Sequence, residues 1–229
     1  MAELRRIATL VEHQSAEHSA SFRHRDSEQG RRLWLEQAGG RLTLDPEMRS
    51  RVLTSAILFA PVAGEIPTPG LALWDEMWRR GAILQGWLRD IGDGGEVRPL
   101  PLTALAPDVV DALARFDLLV ASREDMSAES SSPHDQAAAL RRVFGRGPTL
   151  VVTDGADGLW LDTHLGGSHG TRRRHLAVPW RVGATSTVGA GDILAAFLMM
   201  ALTDGPTSRD GWAEGAMQVV AEILEERRG

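Results

Sequence analysis

From about residue 50 onward, short apolar runs alternate with amphipathic ones. Residues 55–60, 82–87, 117–121 and 149–153 are near-continuous apolar segments of strand length, the pattern of strands buried on both faces. Between and after them come helix-period stretches. Residues 69–80 place Leu71, Trp74, Met77 and Trp78 three or four apart, and residues 107–114, 134–144, 189 to about 202, and 209–228 read the same way. Asp154-Gly155-Ala156-Asp157-Gly158 is a turn into a further strand at 159–162, and 172–178 is another strand candidate. Strand, helix, strand, helix with short links predicts parallel βαβ units in a three-layer α/β/α sandwich with a mostly parallel sheet. In such sheets ligands sit beyond the carboxyl ends of the strands, which nominates the loops after residues 60, 86, 121 and 153. Residues 1–45 are different: polar and irregular, with two or three short exposed strands expected. They divide the chain into a small β appendage over 1–45 and an α/β core over 46–229.

Composition narrows the chemistry. The chain has no Cys, so thiolate metal sites, disulfides and a Cys nucleophile are excluded. Its 25 basic residues are all Arg. A Walker-type phosphate loop, a protein-kinase strand Lys and a pyridoxal Schiff base each require a Lys and are therefore also excluded. Any phosphate chemistry must use backbone N–H groups, Arg or a metal ion. Against 31 acidic residues the net charge is −6, which argues against a nucleic-acid partner. No run approaches a membrane span and the first residues do not form a secretory signal, so the expected compartment is the cytosol. His13, His18 and His24, and likewise His164, His169 and His175, lack the spacing of a helical metal pair and read as loop histidines. Arg172-Arg173-Arg174 reads as a solvated strand-edge run.

The most informative stretch is Thr185-Ser186-Thr187-Val188-Gly189-Ala190-Gly191-Asp192, entering an apolar helix. Two glycines let the backbone approach a ligand, and the helix start offers unpaired N–H groups and a positive dipole end, which together seat an anion. Asp192, in the first turn beside that seat, is suited to take a proton from a nucleophile attacking a phosphate. The plainer reading is a tight turn with an acid satisfying the helix dipole.

Three ordered stretches resemble the ribokinase-like (PfkB) carbohydrate kinases. The family signature Asp-Thr-x-Gly-Ala-Gly-Asp-x-Phe is matched by Thr187, Gly189, Ala190, Gly191 and Asp192, with Ser186 in place of the first Asp and Leu194 in place of the Phe. Val152-Thr153-Asp154-Gly155-Ala156-Asp157-Gly158 resembles the family's Val-Thr-x-Gly-x-x-Gly, and Ser122-Arg123-Glu124-Asp125 stands where the family has Asn-x-x-Glu. Ala60-Pro61-Val62-Ala63-Gly64-Glu65 and Gln85-Gly86-Trp87-Leu88-Arg89 are similar to strand-end loops of a subgroup without an assigned substrate. The resemblance implies a ribokinase-like fold in which the 1–45 appendage is a lid remnant. It implies an ATP-dependent phosphotransferase acting on a sugar or nucleoside-like hydroxyl. Asp192 is then the general base, Gly189, Ala190 and Gly191 the anion hole, and Thr153, Gly155, Gly158 and Thr187 the nucleotide contacts. Asp125 is linked to magnesium through water. The residues alone leave 153–158 readable as a plain hairpin and 122–125 as a helix-start acid cluster.

A family member also carries several dozen earlier residues, with the first core strands, a sugar-binding Asp and a Gly-Gly signature, and these are not found here. The sequence therefore leads to the expectation of a short form with an exposed sheet edge, self-associating or marginally stable, with a homodimer through the lid or that edge. The alternatives are a non-catalytic nucleotide- or sugar-phosphate-binding remnant, and a structural α/β domain.

Overall fold

The computed structural model describes residues 17–27, 30–43, 47, 55–72, 79–165, 170–180, 189–203 and 211–226. Its central sheet has six strands: β3 (Ala56–Phe59), β4 (Arg79–Ile83), β7 (Leu118–Ser122), β8 (Thr149–Thr153), β9 (Leu159–His164) and β10 (Thr171–Leu176). Their spatial order is β10-β9-β8-β7-β4-β3. The strands β3, β4, β7 and β8 run parallel, and β9 and β10 extend the sheet antiparallel.

The unbroken apolar strands are explained by helices on both faces. Along β7 and β8, Leu119, Ala121, Leu150 and Val152 point to one face, with Leu113 of helix α2 (Pro107–Leu113) and Ala137, Leu140 and Phe144 of α3 (Pro133–Phe144). Leu118, Val120 and Val151 point to the other, against Leu194 and Leu198 of α4 (Ala190–Thr203) and Ala213 and Met217 of α5 (Trp212–Glu226). A short helix, α1 (Thr68–Ala72), precedes β4. The ends of α3 follow from its residues. Ser132 caps it by accepting from the Asp135 N–H, Pro133 opens it, and Gly145, at φ 66°, closes it.

The second sheet has the order β1-β2-β6-β5, from β1 (Ser21–Ser27), β2 (Gly30–Gln37), β6 (Glu96–Pro99) and β5 (Arg89–Ile91). The sequence pattern missed β5 and β6, so half of this sheet comes from residues beyond the expected boundary at 45. Both strands are short and polar, and β6 is placed by pairing Val97 with Leu33 and Glu96 with Trp34, some sixty residues away in the chain. Gly94 and Gly95, at φ 78° and 81°, turn the chain between them. At Gly95 a Cβ would lie 2.2 Å from the Leu35 carbonyl oxygen, so only glycine fits.

Other expectations are also corrected. The helix expected over 69–80 is helical over Thr68–Ala72, and its 73–78 portion lies outside the described residues. Arg79 and Arg80 begin β4 instead. Asp117 draws them there: its Oδ1 is 2.7 Å from Arg79 Nη1 and its Oδ2 accepts the Arg80 backbone N–H at 2.8 Å. The strand expected over 82–87 ends at Ile83, and Leu84–Gly86 forms a single 3₁₀ turn. His164 and His175 lie on β9 and β10 rather than in loops. Arg173 is not a solvated edge charge, because it pairs with the fully buried Asp162.

Gly158 shows how tightly the 154–158 turn is built. Its φ is 102°, and a Cβ there would stand 2.0 Å from the Leu176 carbonyl oxygen. Gly158→Ala is expected to lower stability by about 1–3 kcal/mol, read by urea unfolding; unchanged stability would contradict this turn geometry.

Candidate active site

A hollow beside the start of β3 is lined by Ser55, Ala56 and Leu58 together with Met199, Met200 and Thr203. The carboxyl end of α4 therefore lies at the strand-entry end of the sheet. The 14 residues of α4 then carry its amino terminus about 20 Å away, to the strand-exit end. The turns after β3, β4, β7 and β8 emerge at the same end, which is where the sequence pattern places a ligand.

At the start of α4, Gly189 has φ 81°, and its carbonyl accepts the Ile193 N–H at 3.0 Å. A Cβ at Gly189 or Gly191 would meet nothing within 4 Å among the described residues. Among the described residues the turn is therefore open space, not a packed corner. The first N–H groups of the helix face it, and no described side chain lies over the two glycines, which is the cradle an anion needs. Asp192 stands exposed in the first turn. Desolvation by the surrounding protein alone pushes its carboxyl above the ordinary carboxylate range.

The turn after β8 is joined to the loop after β7. Arg123 N–H donates to the Thr153 carbonyl at 2.9 Å, and Arg123 Nη1 lies 2.7 Å from Asp154 Oδ1. The buried Gln136 donates its Nε2 to the Arg123 carbonyl at 3.1 Å, fixing the loop from beneath. Gly155 and Gly158 take positive φ, at 55° and 102°, around a backbone bond from Asp154 N–H to the Gly158 carbonyl.

Asp125 belongs to a different group. Its carboxylate Oδ1 lies 3.9 Å from Arg89 Nε, with both side chains about nine-tenths buried. Burial raises the Asp125 carboxyl, with Arg89, Gln85 and the Ser122 backbone opposing that rise. Burial likewise holds the Arg89 guanidinium below its ordinary value, against Asp125 and Glu65. In the sequence alone Arg89 and Glu65 stand out only as parts of strand-end loops. A lone Arg directly after the apolar run 82–88 was the available signal of a buried charge.

Of the expected site residues, Gly189, Ala190, Gly191 and Asp192 form one unit, open among the described residues, and Thr153, Gly155 and Gly158 a second, both at the strand-exit end. Thr187 lies outside the described residues. Among the described residues no group of three His, Asp or Glu side chains converges as a metal cage. No described helix is long and apolar enough to cross a membrane.

Comparison with known proteins agrees with this architecture. A pyrophosphate-dependent kinase in the ribokinase family, solved as a sulfate complex, superposes at TM-score 0.65 with 14% identity, over 93% of this chain and 70% of that one. A ribokinase from Cryptococcus neoformans var. grubii serotype A, solved with ADP, superposes at 0.58 with 15% identity, over 88% and 64%. A pyrophosphate-dependent myo-inositol-1 kinase altered to a myo-inositol-3 kinase gives 0.63 with 14% identity, over 85% and 65%. The chain thus spans about two thirds of the length of these kinases, and the fold is α/β and ribokinase-like. No curated protein matches the chain. The family model described as pfkB family carbohydrate kinase matches residues 91–214, more than half of the sequence, including both glycine turns and Asp192. The chain belongs to the pfkB family of carbohydrate kinases.

Proposed function

We propose that the chain is an ATP-dependent phosphotransferase acting on a hydroxyl of a sugar or nucleoside-like small molecule. The observation that carries this reading is the open glycine turn at the start of α4 with Asp192 in its first turn. The Ala190, Gly191 and Asp192 N–H groups hold the transferring phosphoryl group, and charge developing on its oxygens meets fixed donors and the helix dipole. Asp192 accepts the proton of the attacking hydroxyl. The 153–158 turn, with Thr153, Gly155 and Gly158, contacts the nucleotide, and we assign Thr187 to the same contact. Magnesium, when bound, neutralises charge across the phosphates. That ion would be held mainly by phosphate oxygens and water, and Asp125 would reach it only through water. Self-association through the lid sheet or the β3 edge, and a cytosolic location, belong to the same proposal.

A coupled assay over sugars, polyols and nucleosides tests this reading, with ATP and, because two of the structural neighbours use it, pyrophosphate as donors. Turnover with at least one pair is the expected result. No turnover, with calorimetric binding of ATP retained, would support a non-catalytic remnant instead. Ser186 and Ser122, standing where the family has Asp and Asn, favour that second reading.

The base role also fixes a pH dependence. Asp192 accepts a proton only when ionised, and its carboxyl is raised. Activity is therefore expected to fall as the pH drops through a value above the usual Asp figure of about 4. An acid limb of kcat/KM at or below that figure would contradict the assignment.

A further inference from the structure

Arg89 opens β5 and belongs to the lid sheet by backbone pairing with Pro99. Its side chain nevertheless runs down among the strand-exit loops of the core. Nη1 donates to the Val62 carbonyl at 2.8 Å, and Nε faces Asp125 at 3.9 Å. The guanidinium also stands 5.2 Å from the ring centroid of Phe22, on β1. One side chain thus joins four segments: two lid strands, the turn after β3 and the loop after β7.

The groups it grips are themselves held. Glu65 accepts the Val62 and Ala63 N–H groups at 2.9 and 2.8 Å, so the carbonyl that Arg89 reaches sits in a pinned turn. Asp125 is held by Gln85 and the Ser122 backbone. Burial works against both charges of the pair. Such a pair adds little net stability but fixes one geometry, because either charge left alone is strongly unfavourable.

We propose that Arg89 is a positioning residue, a latch that holds the lid sheet over the loops at 61–65 and 122–125 and so sets the acceptor's place beside Asp192. The statement about the acceptor rests on the phosphoryl-transfer reading, whereas the latch itself does not. Arg89 acts through Val62, whose carbonyl takes its Nη1–H, through Asp125, which faces its Nε, and through Phe22, beside its guanidinium face.

Hydrogen–deuterium exchange of the full chain, without ligand, reads the latch directly. Arg89→Met keeps the apolar stem and removes the fork. Lid peptides over 21–37 are expected to exchange about ten- to a hundredfold faster, while 118–122 and 149–153 keep their protection. Asp125→Asn, which keeps the shape of the group and removes its charge, is expected to move the same lid peptides in the same direction. It also keeps the test alive if Arg89→Met does not fold. Unchanged lid exchange in the variants that fold overturns the proposal. So does protection lost equally from lid and core, which would mark Arg89 as a residue of general stability. In the phosphorylation assay, Arg89→Met is expected to raise the acceptor KM about tenfold and leave the donor KM within about twofold. A rise in the donor KM instead would overturn the positioning role. A chain that phosphorylates nothing would sink the phosphoryl-transfer reading and leave the exchange result to decide the latch by itself.

Discussion

Replacing Asp192 with asparagine is expected to lower phosphoryl transfer by about 10²-fold or more, the worth of a positioned general base. The substitution preserves volume and leaves the start of α4 intact, because Asp192 is exposed and packs no core. Thermal stability and donor affinity should therefore stay near those of the parent, and the loss should fall on kcat. On the proposed mechanism the attacking hydroxyl then loses Asp192 as the acceptor of its proton. The acid limb of the pH profile should disappear with the carboxylate, which separates loss of the base from damage to the cradle. Full turnover in Asp192→Asn would remove the base assignment. An equal fall in donor affinity would relocate the effect to binding.

The largest stability effect is expected at Asp162, which is completely buried. Its Oδ1 accepts from Arg141 Nε at 2.8 Å and its Oδ2 from Arg173 Nε at 2.9 Å. Arg141 Nη2 also donates to the Asp162 backbone carbonyl at 2.9 Å. One carboxylate therefore fastens α3 to the antiparallel β9–β10 end of the sheet. Asp162→Ala leaves two largely buried guanidinium groups facing each other with no anion between them. The expected loss is about 3–5 kcal/mol, a large fraction of the roughly 5–15 kcal/mol available to a domain of this kind. Urea unfolding measures it, with a lower midpoint and an unchanged slope. A loss below about 1 kcal/mol would mean that solvent reaches the cluster and screens it. Because the cluster sits on the β9–β10 side of the sheet, away from Asp192, the folded fraction should retain whatever phosphoryl transfer the parent chain shows.

How far the sequence carries depends on which interactions are local. The strands β7 and β8 and the helices α2 and α3 are legible because burial on both faces leaves unbroken apolar runs, and because Pro107, Ser132, Pro133 and Gly145 mark the helix ends. The glycine turn at 189–191 is legible for a similar reason: its glycines and the helix start are adjacent in the chain. The strands β5 and β6 of the second sheet were not, because a three-residue and a four-residue polar strand take their register from β2, far away in sequence. The Gly-Asp-Gly-Gly segment at 92–95 was the overlooked hairpin signal. The start of β4 was misread because Arg79 and Arg80 look like the polar end of a helix until Asp117, thirty-seven residues or more away, takes hold of them. The burial of Arg89 against Val62 and Asp125 follows the same rule. A charge inside a protein is stable only through its partners, and those partners are set by the fold and not by neighbouring letters.

The proposed phosphoryl transfer depends on the backbone of one turn. A crystal structure of the chain soaked with a non-hydrolysable phosphoryl donor is the most direct measurement of it. The terminal phosphoryl group is expected at the start of α4, about 3 Å from the N–H groups of Ala190 to Asp192, with the Asp192 carboxylate facing the side from which a hydroxyl attacks. A donor bound elsewhere, with the glycine turn empty, would contradict it.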